Sequence, residues 1–139
     1  MIVALLAIAL AAPAPTVERA GITAPVPSGW HVIEKRLTLC SNPLERLTLA
    51  GPGGGMVMLQ ESLDPRRYIS RFERRPAKWR LRGRPQPLAC CAPSRRPGWF
   101  INFRDSGRGF YVYVYGRTPS ARQRALEILA ALKIEPRKA

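Results

Sequence analysis

GWFINFRDSGRGFYVYVYG, residues 98–116, is the stretch whose reading decides the fold. Two aromatic and β-branched runs flank a short polar segment, the pattern of a long β-hairpin. Side chains alternate sides along a strand. Trp99, Ile101 and Phe103 therefore share one face of the first arm, and Phe100, Asn102 and Arg104 share the other. On the second arm Phe110, Val112 and Val114 oppose Tyr111, Tyr113 and Tyr115. Asp105-Ser106-Gly107-Arg108-Gly109, between the arms, is rich in residues that tolerate turns. A four-residue loop over 105–108 pairs Ile101 with Val112 and Phe103 with Phe110. A slip of one residue mixes core and surface faces and is disfavoured.

Just downstream, Thr118-Pro119 marks a helix start. Ala121, Ala125, Ile128, Leu129 and Leu132 repeat at helical spacing, with Arg122, Gln123, Arg124 and Glu127 opposite. That stripe needs an apolar surface, and the Phe110-Val112-Val114 face is adjacent in the chain, so the helix is expected across it. Residues 136–139 are expected to fray.

Upstream, residues 30–40 read as a half-buried strand with Ile33, Leu37 and Leu39 on one side. Residues 46–50 read as a second strand with Leu47 and Leu49 inward. Gly51-Pro52-Gly53-Gly54-Gly55 could be taken for a phosphate cradle. A strand-like run, not a helix, follows it, and no Lys-Ser or Lys-Thr is present, so a hairpin loop is expected. Asp64-Pro65 opens a short helix over 64–72, with Tyr68, Ile69 and Phe72 as its apolar stripe. Residues 77–83 and 87–91 read as further strands at an edge, since Pro85, Pro87 and Pro93 interrupt ladders.

The first 12 residues, MIVALLAIALAA, are continuously apolar. They fall short of the roughly 20 that span a bilayer. They match the apolar region of a signal peptide, with Ala9-Leu10-Ala11 as a small-x-small cleavage pattern but no positive leader. Residues 13–28, carrying Pro13, Pro15, Pro25 and Pro27, read as a proline-rich tether. A single α+β domain is expected over 29–135. A secreted or cell-surface location follows from the leader, with no transmembrane span in the mature protein.

The net charge is +14, from 23 basic and 9 acidic residues; 19 of the basic residues are arginine. Such a balance suits an anionic partner such as nucleic acid or acidic lipid. Arginine-rich usage from a GC-rich genome produces the same composition, and the charge is spread along the chain rather than massed in a block. The densest cluster is Arg66, Arg67, Arg71, Arg74 and Arg75. Tyr111, Tyr113 and Tyr115, with Arg104 and Arg108 nearby, form a stripe suited to stacking on planar rings. The competing expectation, adopted here, is that the fold covers this face, for example with the 64–72 helix.

Three cysteines are present: Cys40, Cys90 and Cys91. In an exported chain Cys40 pairs with Cys90 or Cys91, leaving one thiol over. The bridge closes a loop of about 50 residues, worth on the order of 4 kcal/mol. His31 and the cysteines lack the C-x-x-C spacing of familiar zinc sites. One histidine and scattered acids are a poor catalytic inventory, so neither an enzyme nor a cofactor or metal is expected.

The phrases GWHVIEKRLTLCSNPLERLTL, LQESLDP and GWF-x-x-FRD-x-GRGFYVYVY resemble uncharacterised small exported proteins of high-GC actinobacteria. That resemblance covers most of the chain after the tether and implies no activity. Pro27-x-Gly29-Trp30 before a first strand, several antiparallel strands and the Ala125-Leu126-x-Ile128-Leu129 helix are similar to the PsbP-like fold. The likeness implies an antiparallel sheet flanked by helices, used mostly to bind proteins. The expected architecture is thus α+β: an antiparallel sheet of about six to seven strands, a C-terminal helix on one face and a short helix elsewhere. The expected role is to bind a protein or cell-envelope component, with nucleic acid or acidic lipid as the alternative.

Alkylation of secreted material should label one cysteine before reduction and all three afterwards, with a mass that shows cleavage near Ala11. Three labelled thiols without reduction would contradict the disulfide.

Overall fold

The computed structural model describes residues 15–34, 45–62, 72–87 and 97–138. Strands β8 (Pro97–Asp105) and β9 (Arg108–Tyr115) form the hairpin that organises it. Ile101 faces Val112 and Phe103 faces Phe110, as the alternation requires. The loop is shorter than four residues. Asp105 itself pairs with Arg108, leaving Ser106 and Gly107 as a two-residue turn. Their φ angles are +55° and +73°, as a type I′ turn requires, and that turn matches the strands' right-handed twist. Shortening the loop by two residues leaves side-chain parity, and hence the core face, unchanged.

The hairpin lies within a seven-stranded sheet. Strands β3 (His31–Val32), β4 (Arg46–Gly51) and β5 (Gly55–Glu61) lead in order to β9 and β8. Beyond β8 lie two short strands at opposite ends of its outer edge. β6 (Glu73–Arg74) runs parallel beside Phe103 and Arg104, and β7 (Gln86–Pro87) antiparallel beside Pro97 and Gly98. The other neighbours are antiparallel. Helix α1 (Pro119–Ala130) crosses β5 and β9 on the valine face. Its N-cap is Thr118, whose hydroxyl accepts from the Ala121 amide at 3.1 Å, with Pro119 at the first turn. Ala125, Ile128, Leu129 and Leu132 are buried against Leu47, Leu49, Val57, Leu59, Phe110, Val112 and Val114, and Ala121 is buried beside Gly53 and Gly116. The fold is therefore α+β, with its C-terminal helix on one face of a mostly antiparallel sheet.

Several expectations need correction. Residues 16–25, read as part of a tether, form a hairpin of β1 (Thr16–Arg19) and β2 (Ile22–Pro25), joined by β10 (Lys133–Ile134) into a three-stranded sheet. Ile22 and Ala24 alternate inward and are fully buried, while the prolines sit at strand ends where a missing N–H costs little. On β3 it is Val32, with Trp30, that packs on the core, not Ile33. Residues 77–83 carry no ladder among the described residues. Trp79 and Leu81 pack inward and Lys78, Arg80 and Arg82 point outward, but Pro76 and Pro85 bracket the segment. Most of the short helix read over 64–72 lies outside the described residues. Its last residue, Phe72, is buried and places its ring 5.0 Å from that of Tyr111.

The glycine-rich segment is a hairpin loop, a 3-10 turn over Pro52–Gly54 joining β4 to β5. Gly51 and Gly55, at its base, have a packing role: the Trp30 indole lies on them. A Cβ on Gly51 would stand 2.4 Å from the indole ring, and one on Gly55 2.7 Å. Gly51→Ala should therefore lower stability by about 1–3 kcal/mol in a urea titration, and Trp30→Leu in the same chain should recover part of it. An unchanged urea midpoint would show that the indole is not seated there.

Candidate functional site

Arg108 has the same parity along β9 as Phe110 and Val112, so the pleat turns it into the core. A guanidinium there needs a carboxylate and acceptors for its remaining donors. Glu61, at the end of β5, supplies the carboxylate, with Nε to Oε2 at 2.9 Å and a second nitrogen to Oε1 at 2.8 Å. The third nitrogen donates to the carbonyls of Ala20 at 2.8 Å and Glu135 at 3.0 Å. Both side chains are about 98 % shielded from solvent, being 2 % and 1 % exposed. Arg137, within the segment expected to fray, adds a further contact to Glu61. This cluster joins β5, β9, the β1–β2 turn and the segment after β10. It is a structural clamp whose donors are committed.

Arg75 is likewise committed. It donates to Asp105 at 3.0 Å and to the carbonyls of Leu129 and Ala130 at 3.1 and 3.2 Å. Those are end carbonyls of α1, beyond the reach of the regular helical ladder, though that of Leu129 also accepts from the Leu132 amide at 3.3 Å. Arg75 was read as part of an outward basic cluster; it is instead a helix C-terminal anchor. Arg66, Arg67 and Arg71, and Cys40, Cys90 and Cys91, lie outside the described residues. Arg74 is exposed on β6.

The tyrosine stripe is not continuous at the surface. Tyr113 is buried beside Met58 and Thr48, Tyr115 is half-buried, and Tyr111 alone is exposed. Tyr113 is covered partly by Phe100, whose ring lies 5.4 Å away. Phe100 is itself 44 % exposed. His31 is exposed on β3, opposite Ala50, and among the described residues no three His, Cys, Asp or Glu side chains group to hold a metal.

Among the described residues, the outer edge of β8 gathers several basic side chains. Between β6 and β7, residues 99–102 have no strand beside them on that side among the described residues. A groove of about 310 Å³ opens there, whose polar lining is Arg74, Lys78, Arg80, Arg82 and Asn102 with one carboxylate, Glu73, and whose apolar lining includes Phe100. Among the described residues none of its four basic residues has an ion pair. A second hollow of about 550 Å³ adjoins it past Arg74 and Pro76, lined also by Arg104 and the 105–109 turn. Sequence reasoning missed Lys78, Arg80 and Arg82. The signal was present, since Trp79 and Leu81 alternate with them and demand that they face out.

Burial pushes the Glu61 carboxyl up, but hydrogen bonds from Arg108 and Arg137 and their positive charge outweigh it and hold it below its ordinary range. A depressed folded pKa means that the unfolded chain takes up its proton first as pH falls. The stabilisation is complete above the unfolded pKa and is lost as pH falls through the folded one. Glu61→Ala should cost about 3–5 kcal/mol at neutral pH by stranding a buried guanidinium. It should also flatten the acid limb of stability below about pH 4.5. Wild-type-like stability in that variant would contradict the clamp.

No family model, curated protein or solved structure matches this chain.

Proposed function

We propose that the protein is an exported, non-enzymatic binding domain, and that its partner is a protein or cell-envelope component presenting anionic groups to the β8 edge. The observation that carries this reading is the row Lys78, Arg80 and Arg82 beside Arg74. All four are exposed, and they border a groove that also shows the face of Phe100. Cations that make no ion pair among the described residues are available to a partner, and an exposed phenyl ring adds apolar contact. Export is supported by the apolar leader and the cysteine set of the sequence. A binder rather than a catalyst is supported by the residue inventory: a single histidine, and carboxylates such as Glu61 and Asp105 already committed to arginines. The resemblance to PsbP-like domains, used mostly for protein binding, agrees. Among the described residues no helix is long and apolar enough to cross a membrane.

Binding to polygalacturonate, single-stranded DNA and vesicles containing an acidic lipid should be measured across a salt series. At least one should bind, weakening steeply as salt rises, and Lys78→Glu with Arg80→Glu and Arg82→Glu should abolish it. Binding that ignores salt and survives the triple substitution would overturn the reading.

A further inference from the structure

Arg74 and Arg104 are register partners on the parallel strands β6 and β8. Strands lie about 4.8 Å apart, and directly opposed residues project from the same face, so the two guanidinium groups start as close neighbours. Like charges directly opposite each other are destabilising. Glu73 is the next residue to Arg74, yet it makes no ion pair with either arginine, and no other described carboxylate does so. Of the acidic residues, all but Asp64 lie within the described segments.

Both arginines line the larger hollow, of about 550 Å³, beside the 105–108 turn. The other charges in its wall cancel. Asp105 accepts from Arg75 at 3.0 Å and from the Ser106 hydroxyl at 2.8 Å. Arg108 is matched by Glu61. Lining the hollow are thus two arginines with no carboxylate partner among the described residues. Pro76, Gly107 and Gly109 complete the wall. The volume exceeds that of a lone ion and falls in the range of small-molecule sites.

We infer that this hollow is a binding site for a phosphomonoester, whose dianionic head lies between Arg74 and Arg104 and relieves their repulsion. Two charges call for a dianion, and each guanidinium fork matches a pair of phosphate oxygens. The inference shares Arg74 with the groove reading above but turns on Arg104, which lies outside that groove, so either can fail alone.

The test is titration of the intact protein with phenyl phosphate and with sulfate, followed by amide chemical shifts and calorimetry. Phenyl phosphate should bind saturably, with shifts centred on residues 74 and 104–109. Its affinity should rise several-fold from pH 5 to 7.5 as its second proton leaves near pH 6, while the affinity of sulfate stays constant. Arg104→Gln and Arg74→Gln, made separately so that one fold failure does not end the test, should each weaken binding about tenfold. Lys78→Gln with Arg82→Gln should leave it within about twofold. A phosphate carried on a polymer is distinguished by an oligonucleotide with and without a 5′ phosphate, and tighter binding of the phosphorylated form supports the site. No saturation, shifts centred on residues 78–82, undiminished binding in both arginine variants, or equal binding of the two oligonucleotides would overturn it.

Discussion

A guanidinium with almost no solvent contact sets the terms for the rest of this molecule. Arg108 must find a carboxylate and backbone acceptors where it lies, because an unmatched buried charge is not tolerated. The solution draws on four distant parts of the chain: the end of β5, the β1–β2 turn, the segment after β10, and β9 itself. A buried ion pair adds little net stability over a well-packed apolar substitute. What it enforces is register. A one-residue slip of β9 would carry Arg108 to the other face, leave two carbonyls without its donors and leave Glu61 with Arg137 alone.

That clamp bears on the outer surface through supply. The chain has 9 acidic residues against 23 basic ones. Glu61 serves Arg108 and Arg137, Asp105 serves Arg75, and Glu127 and Glu34 pair with Arg124 and Arg19. Those carboxylates are committed, and among the described residues the arginines and the lysine along the β8 edge make no ion pair, with Glu73 in the same groove also unpaired. The same edge is where proline interrupts pairing, so β6 and β7 are two residues each and hollows open between and beside them. Positive surface and concave surface coincide because along this edge basic residues outnumber the carboxylates, Glu73 and Asp105, and strand partners are short.

Much of the fold was legible in the sequence because period-two alternation is strong where both arms are apolar. Val112, Val114 and Phe110 face α1, and Thr118-Pro119 caps it, as the residues imply. The β1–β2 hairpin was obscured by its prolines, which read as a tether until Ile22 and Ala24 are seen to alternate. The site was less legible. Arg108 shares parity with Phe110 and Glu61 with Leu59, so the clamp was latent in the alternation, but charge alone suggested surface. Arg75 reads as one more outward cation, and only the tertiary approach of the helix end shows its use. The repulsive Arg74–Arg104 pairing needs a parallel contact between residues 30 apart in number, which no local pattern announces.

The most direct test of this account is a carbon-detected NMR titration of the Glu61 side-chain carboxyl in the intact protein. A midpoint well below that of a free glutamate, together with slowed exchange of the Arg108 guanidinium protons, is the predicted result. A midpoint at or above the free value, with rapidly exchanging guanidinium protons, would contradict the clamp and the distribution of charge that follows from it.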